Sequence, residues 1–184
     1  LMNYGRVSFA ESAGLDVKKS SVNELAALYI ILLEDARELS PQIAVDEDGL
    51  FTLEGIDVHQ KIKQSMTQLG EKYPTLSGYY PNPKAVTFSR GMSLLQLTVM
   101  YSPFTIEAND NNDVPDYTIP YTIGHELANL KGYIKEDEAG FIGYLSSNES
   151  DDLSLRYSGT LNALSYTLNA LYKNLSREDY DLFY

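Results

Sequence analysis

The chain has 184 residues, enough for one ordinary domain with a substantial core, and its 43% hydrophobic and 22% charged residues are typical of a globular protein. The formal charge of -12 excludes the basic surface that a nucleic-acid-binding protein needs, and it disfavours adhesion to anionic lipid. Cysteine is absent, so disulfides and thiolate metal sites are excluded.

The first predicted elements are two amphipathic helices. Ser21 and Glu24 form a capping box before a hydrophobic face, which predicts a helix over residues 21–39. Apolar residues at helical spacing predict a second helix over residues 57–73, which Pro74 ends.

The middle of the chain has an extended pattern. Runs of β-branched and aromatic residues predict short strands over residues 85–89, 95–101 and 104–108, followed by a loop over 109–115. Because these strands come in one block and do not alternate with helices, they predict a small, largely antiparallel sheet.

The last part of the chain is helical again. A helix is predicted from Thr118 to the glycine at position 132, followed by helices over residues 137–146 and 157–175.

No stretch reaches the roughly 18 consecutive apolar residues of a membrane-spanning helix. The chain lacks a signal-peptide layout, does not begin with Met and stops within a helical pattern. We therefore expect it to be a soluble fragment of a longer protein.

The helix that begins near Thr118 contains the segment His125-Glu126-Leu127-Ala128-Asn129. In a His-Glu-x-x-His helix, two histidines one turn apart bind Zn²⁺, and the glutamate takes a proton from the metal-bound water. Here His125 and Glu126 occupy the first two positions, whereas Asn129 stands where the second histidine would be. A solvated helix face is the commoner origin of an isolated His-Glu pair.

The surroundings of this pair favour a zincin. Gly124, Ala128 and Gly132 are typical of the active-site helix, and the next helix opens with the acidic residues Glu136, Asp137 and Glu138. Glutamate-liganded zincins take their third ligand from early in that second helix, and Glu138 is the preferred candidate. The alternative is that these carboxylates only complement the helix dipole, which would account for one or two of the three.

Several further motifs follow one another in a definite order. They are Tyr101–Asn109, Pro120, His125–Ala128, Gly132, Glu136–Ala139 and Phe141, with Tyr80-Pro81, Lys84, Ser89-Arg90 and Arg156–Gly159 in addition. This order resembles a poorly characterised family of bacterial membrane proteins, in which transmembrane helices precede an extracytoplasmic domain with a zinc-peptidase motif. The resemblance is clear over residues 78–175 and looser over the first 77.

The resemblance implies an α+β, zincin-like single domain over residues 1–184, with a helical part (1–77) followed by the sheet and the active-site helices (78–184). It implies a location on the extracytoplasmic face of the bacterial cell membrane, with the full-length protein anchored there.

By the same resemblance, His125 and Glu138 would be zinc ligands and Glu126 the general base. The family has histidine where this chain has Asn129, so zinc binding is expected to be weak or absent. Asn129 is either a natural variant or an engineered substitution.

Other residues are weaker candidates. Glu107 and Asn109 either line the substrate cleft or hold a turn, and Arg156 and Tyr157 either supply an oxyanion donor or are structural, with the arginine paired to the acidic run. Zincins hold peptides along an edge strand, which the predicted strands are placed to supply. His59 is interpreted as an ordinary surface histidine. The fifteen tyrosines are interpreted as amphipathic filler or as a peptide or glycan surface.

Three hypotheses of function follow. The first is a metallopeptidase-like extracytoplasmic domain for peptide or protein substrates, with activity absent or slight because of Asn129. The second is a binding or sensory module on a peptidase scaffold. The third is a structural domain that presents its helices to neighbouring membrane segments.

Overall fold

A computed structural model describes residues 7–81, 84–85, 99–102, 107–110 and 116–175. Six α-helices lie in the described part, and short 3₁₀ turns occur at Ser40–Gln42, Pro74–Leu76 and Asp116–Thr118. The helices are α1 (Phe9–Ser12), α2 (Val22–Leu39), α3 (Val58–Lys72), α4 (Ile119–Leu130), α5 (Glu136–Asn148) and α6 (Leu153–Asn174).

The predicted helices are confirmed, with one displaced boundary. The capping box before α2 is present, since the Ser21 side chain accepts from the Glu24 backbone N–H while the Glu24 carboxylate accepts from the Ser21 N–H. Helix α6 begins at Leu153, four residues before its predicted start. The cause is Asp152, whose carboxylate accepts a 3.0 Å hydrogen bond from the Ser154 backbone N–H and so caps the helix there.

The predicted α+β class is wrong. About 69% of the residues whose side chains the structure describes are helical, and none of them lies in a strand. Three short segments are assigned as strands from backbone pairing alone: β1 (Lys84–Ala85), β2 (Val99–Ser102) and β3 (Glu107–Asp110). They lie in the order β1-β3-β2, and β3 pairs with β1 in parallel and with β2 in antiparallel orientation. A small, largely antiparallel sheet is therefore not supported. Most of the predicted strand and loop residues lie outside the described part of the chain.

The described core is built by helices packing on helices. Its fully buried side chains include Ile62 and Met66 of α3, Leu127 of α4, Ile142 of α5 and Leu155 of α6. Local apolar patterns predict single elements but not which elements pack together to form a core, and among the described residues that core is helical. Among the described residues, no helix has both the length and the apolar character needed to cross a membrane.

Helices α4 and α5 form a tight antiparallel hairpin. Gly132 adopts a left-handed φ of 89°, and the Tyr133 N–H donates to the Ala128 carbonyl at 3.1 Å, as in a Schellman motif. The helix therefore stops as predicted at this glycine. The chain reverses within a few residues, so that α5 returns along α4.

Glycines allow the two helix backbones to touch. A β-carbon on Gly143 would lie 2.9 Å from the Tyr121 carbonyl oxygen and 3.1 Å from the His125 nitrogen. A β-carbon on Gly124 would lie 3.1 Å from the Gly143 Cα. The nearest atoms to Gly143 are thus all backbone, which cannot rotate away as a side chain can, whereas Gly124 also leaves room for the Ser146 side chain.

This contact predicts the effect of one added methyl group. Gly143→Ala should lower the free energy of unfolding by about 2 kcal/mol, because overpacking against backbone outweighs the helix propensity gained by alanine. Urea denaturation followed by circular dichroism measures the change. Gly140→Ala is the matched control, since its β-carbon would meet only the end of the Tyr121 side chain, at 2.6 Å. Equal losses in the two variants would contradict the proposed backbone contact.

Candidate functional site

Helix α4 carries the two residues at the centre of the candidate site. Pro120 lies in its first turn, where a missing N–H is tolerated, and the helix continues without a break through His125 and Glu126 to Leu130. The His125 side chain is only 13% exposed. Asn129 follows one turn after His125, so both side chains arise from the same side of the helix.

The carboxylate beside His125 comes from α5. The Glu136 Oε2 lies 3.6 Å from the His125 Nε2, and the Glu136 side chain is 84% exposed. The reversal at Gly132 and the close helix contact bring this first-turn residue of α5 back to the middle of α4. The structure therefore brings together His125, Glu126, Asn129 and Glu136.

Glu138 points to a different part of the molecule. One of its carboxylate oxygens accepts a 3.4 Å hydrogen bond from the Phe9 backbone N–H, at the start of α1. The other lies 3.3 Å from the Lys135 ammonium. These contacts give Glu138 a structural role in holding α1 against α5, and it is Glu136 that faces His125.

Glu126 lies in a partly buried setting. Burial raises the pKa of its carboxyl, and the charge of Glu136 acts in the same direction, whereas the neighbouring Asn129 amide and the proximity of His125 oppose the shift. Its Oε2 is buried and has no hydrogen-bond partner among the described residues. A raised pKa makes this carboxylate a stronger base than an exposed one, as is common at functional sites.

An apolar cavity adjoins the His125–Glu136 pair. It has a volume of about 530 Å³ and lies between α2, α4, α5 and α6. Tyr121, one turn before His125, forms part of its wall, and the centroids of the two rings are 6.3 Å apart. Burial raises the pKa of the Tyr121 hydroxyl, with smaller contributions from Tyr166 and Glu136.

The donor set of the site falls short of a structural or catalytic zinc site. His125 and Glu136 are two good donors, and an asparagine amide oxygen is a weak third beside imidazole. Among the described residues, no group of three histidine or acidic side chains is close enough together to hold a metal ion. The residues present therefore do not fit a tightly bound zinc ion.

The remaining predicted residues are placed elsewhere or are described only in part. Glu107 and Asn109 lie in β3, of which only the backbone is described. Arg156 borders a polar cavity of about 300 Å³ with carboxylates of α2 and not with the acidic run of α5. The Tyr157 ring packs against Phe51 with centroids 5.8 Å apart. His59 lies on α3 and is partly buried.

Sequence reasoning preferred Glu138 to Glu136 and did not single out Tyr121 for the site, although a signal for Glu136 was present. Gly140 and Gly143 mark the face of α5 that can approach another helix closely, and Glu136 lies on that same face, one turn earlier. Glu138 is rotated away from this face, since successive residues of a helix are about 100° apart. The small residues of α5 therefore indicated which glutamate would face α4.

The raised pKa of Glu126 predicts a pH-dependent effect on stability. The folded protein binds this proton more tightly than the unfolded chain, so stability falls as pH rises from the ordinary pKa to the raised one. Glu126→Gln cannot ionise and should raise the free energy of unfolding at pH 7 by on the order of 1 kcal/mol. The gain should vanish below about pH 4, where the carboxyl is protonated in both states. Thermal unfolding at several pH values measures it.

Glu24→Gln is the control with the opposite sign. Hydrogen bonds from Ser21 lower the pKa of Glu24, so its ionised form stabilises the fold at neutral pH, and the substitution should destabilise the protein there. A stability gain for Glu126→Gln that stayed constant down to pH 3 would contradict the electrostatic explanation.

The comparisons with known proteins give a family but no activity. The model of a family described as a protein of unknown function (DUF3810) matches residues 1–184. No curated protein and no solved structure matched the chain. Because the match extends over the whole sequence, the chain belongs to the DUF3810 family of proteins of unknown function.

Proposed function

We propose that this chain is a zincin-like, metallopeptidase-type domain in which Asn129 has replaced a zinc ligand, so that peptide-bond hydrolysis is lost or strongly impaired. The observation that carries the proposal is the meeting of His125 with Glu136 at 3.6 Å across two helices joined by a tight reversal. A histidine, an adjacent glutamate and a carboxylate from the following helix are the groups such a site requires.

The positions of the side chains support distinct roles. His125 and Glu136 would hold the metal, and position 129, one turn after His125, would complete the set if it were histidine. Burial raises the pKa of Glu126, which makes its carboxylate a stronger proton acceptor than an exposed one. When bound, zinc would polarise a substrate carbonyl and acidify a water molecule. Zinc-dependent hydrolysis is not expected of the chain with Asn129, because the third strong donor is missing.

A binding or sensory module is the second candidate function. It is favoured by the position of the Asn129 amide, which is near enough to lower the pKa of Glu126 and could occupy the carboxylate that a peptidase needs free. The cavity beside the site does not depend on a metal and would be retained in such a module.

We further propose that the domain faces the extracytoplasmic side of a bacterial membrane in a longer, anchored protein, on the resemblance described above.

Restoring the histidine tests the proposed site. Asn129→His should raise the affinity for Zn²⁺ by at least about a hundredfold, because a strong third ligand replaces a weak amide oxygen. Competition with a chromogenic zinc chelator measures this affinity without any need for a substrate. Adding His125→Ala to the restored variant should abolish the gain.

Two glutamine substitutions identify the third ligand. In the restored variant, Glu136→Gln should remove most of the gained zinc affinity, whereas Glu138→Gln should leave it nearly unchanged. The second variant is a matched control, because glutamine keeps an oxygen that can accept from the Phe9 N–H. The opposite result would assign the ligand to Glu138, and no zinc binding by the restored variant would refute the zincin proposal.

Proteolysis tests both candidate functions. The unmodified chain should cleave casein no faster than buffer, and the restored, zinc-loaded variant should cleave it measurably. Glu126→Gln in that variant should bind zinc but not cleave, because the proton acceptor is gone. Stoichiometric zinc and clear activity in the unmodified chain would exclude the impaired-peptidase proposal and the binding module alike.

A further inference from the structure

We propose that the apolar cavity beside His125 and Glu136 binds a large apolar side chain of a peptide, next to a positively charged residue of the same peptide. This proposal rests on the proposed function and adds the class of peptide that would bind at the candidate site. It needs no metal, so it also applies to the chain with Asn129.

The size and walls of the cavity suit a large apolar group. Its volume of about 530 Å³ lies within the range of small-molecule sites, roughly 300–1,000 Å³. Leu28 and Leu32 of α2 form one side, and Phe141 and Tyr144 of α5 form another. Burying an aromatic side chain among such groups is favourable because it removes apolar surface from water.

A buried hydroxyl in the cavity wall favours a peptide over a hydrocarbon chain. Tyr121 is only 8% exposed, and its hydroxyl has no hydrogen-bond partner among the described residues. Tyr166 is near enough to raise the pKa of Tyr121 but lies outside normal hydrogen-bond geometry in the structure. A peptide group offers a donor and an acceptor to this hydroxyl, whereas an acyl chain at the same depth offers neither.

The rim of the cavity is acidic. Glu136 and Asp137 border it, and no lysine or arginine lies among the described residues that line it. The whole chain carries a formal charge of -12. These charges attract a basic residue of the peptide and repel an acidic one, and the preference should weaken at high salt.

Glu136 connects the cavity to the candidate site. The same side chain borders the cavity and approaches the His125 ring, so the two are continuous. A peptide whose apolar side chain fills the cavity would therefore have its backbone beside His125 and Glu136. Because the cavity and the candidate site are continuous, we propose that the cavity holds a side chain of a peptide bound at that site.

Three blocked peptides test the proposal on the unmodified chain, with a chelator present. N-acetyl-Ala-Phe-Lys-amide should bind at least about tenfold more tightly than N-acetyl-Ala-Gly-Lys-amide, the factor expected from burying an aromatic side chain. It should also bind several-fold more tightly than N-acetyl-Ala-Phe-Glu-amide at low salt, with the difference lost in 1 M NaCl. Titrations followed by heteronuclear NMR measure the three dissociation constants.

Paired variants locate the binding. Leu28→Asp places a charge in the cavity wall and should abolish the preference for phenylalanine, whereas Ile30→Asp on the same helix should not. Both residues are exposed, at 44% and 55%, so neither change should unfold the protein. Ala163→Phe fills the cavity from α6 and should also abolish the preference for the phenylalanine peptide. Ser165→Phe, on the same helix, should leave that preference unchanged.

Equal binding of the phenylalanine and glycine peptides would overturn the proposal, as would unchanged binding in both Leu28→Asp and Ala163→Phe. Equal binding of the lysine and glutamate peptides at low salt would overturn its electrostatic part. If monomeric lysophosphatidylcholine bound through Leu28 while the phenylalanine peptide did not, the cavity would be a lipid site. Failure of zinc binding by the Asn129→His variant refutes the zincin assignment separately, because these titrations contain no metal.

Discussion

The close approach of α4 and α5 is the constraint on which the candidate site depends. Gly143 lies directly against the α4 backbone, and Gly124 leaves room for the Ser146 side chain, so the helices lie closer than larger residues would allow. The left-handed turn at Gly132 makes them antiparallel neighbours. As a consequence, a first-turn residue of α5 reaches the middle of α4, and Glu136 comes within 3.6 Å of His125.

The three consecutive acidic residues of α5 show how one helix end can serve separate purposes. Glu136 faces His125, Asp137 borders the apolar cavity, and Glu138 binds the backbone at the start of α1. All three also lie near the positive end of the helix dipole, which stabilises each of them whatever else it contacts. Dipole complementation therefore contributes at every position without explaining where each side chain points.

The interior of the site combines features that are costly for stability. The Glu126 carboxylate and the Tyr121 hydroxyl each have a buried oxygen without a hydrogen-bond partner among the described residues. Such atoms lower stability unless a ligand or solvent satisfies them, and they are more frequent at functional sites than elsewhere. Both features are present in the chain with Asn129, and both proposed functions would use them to bind a ligand.

The sequence by itself determined the local elements. Caps, proline and glycine positions and apolar spacing located α2 to α5 to within a few residues, and the His125–Asn129 pattern located the helix that carries the candidate site. It did not determine the fold class, because local patterns predict single elements and not which of them form the core, which is helical among the described residues. Only the tertiary structure decided which glutamate meets His125. That choice depends on the rotation of α5 about its axis, which is set by the packing of Gly143 against the backbone of α4.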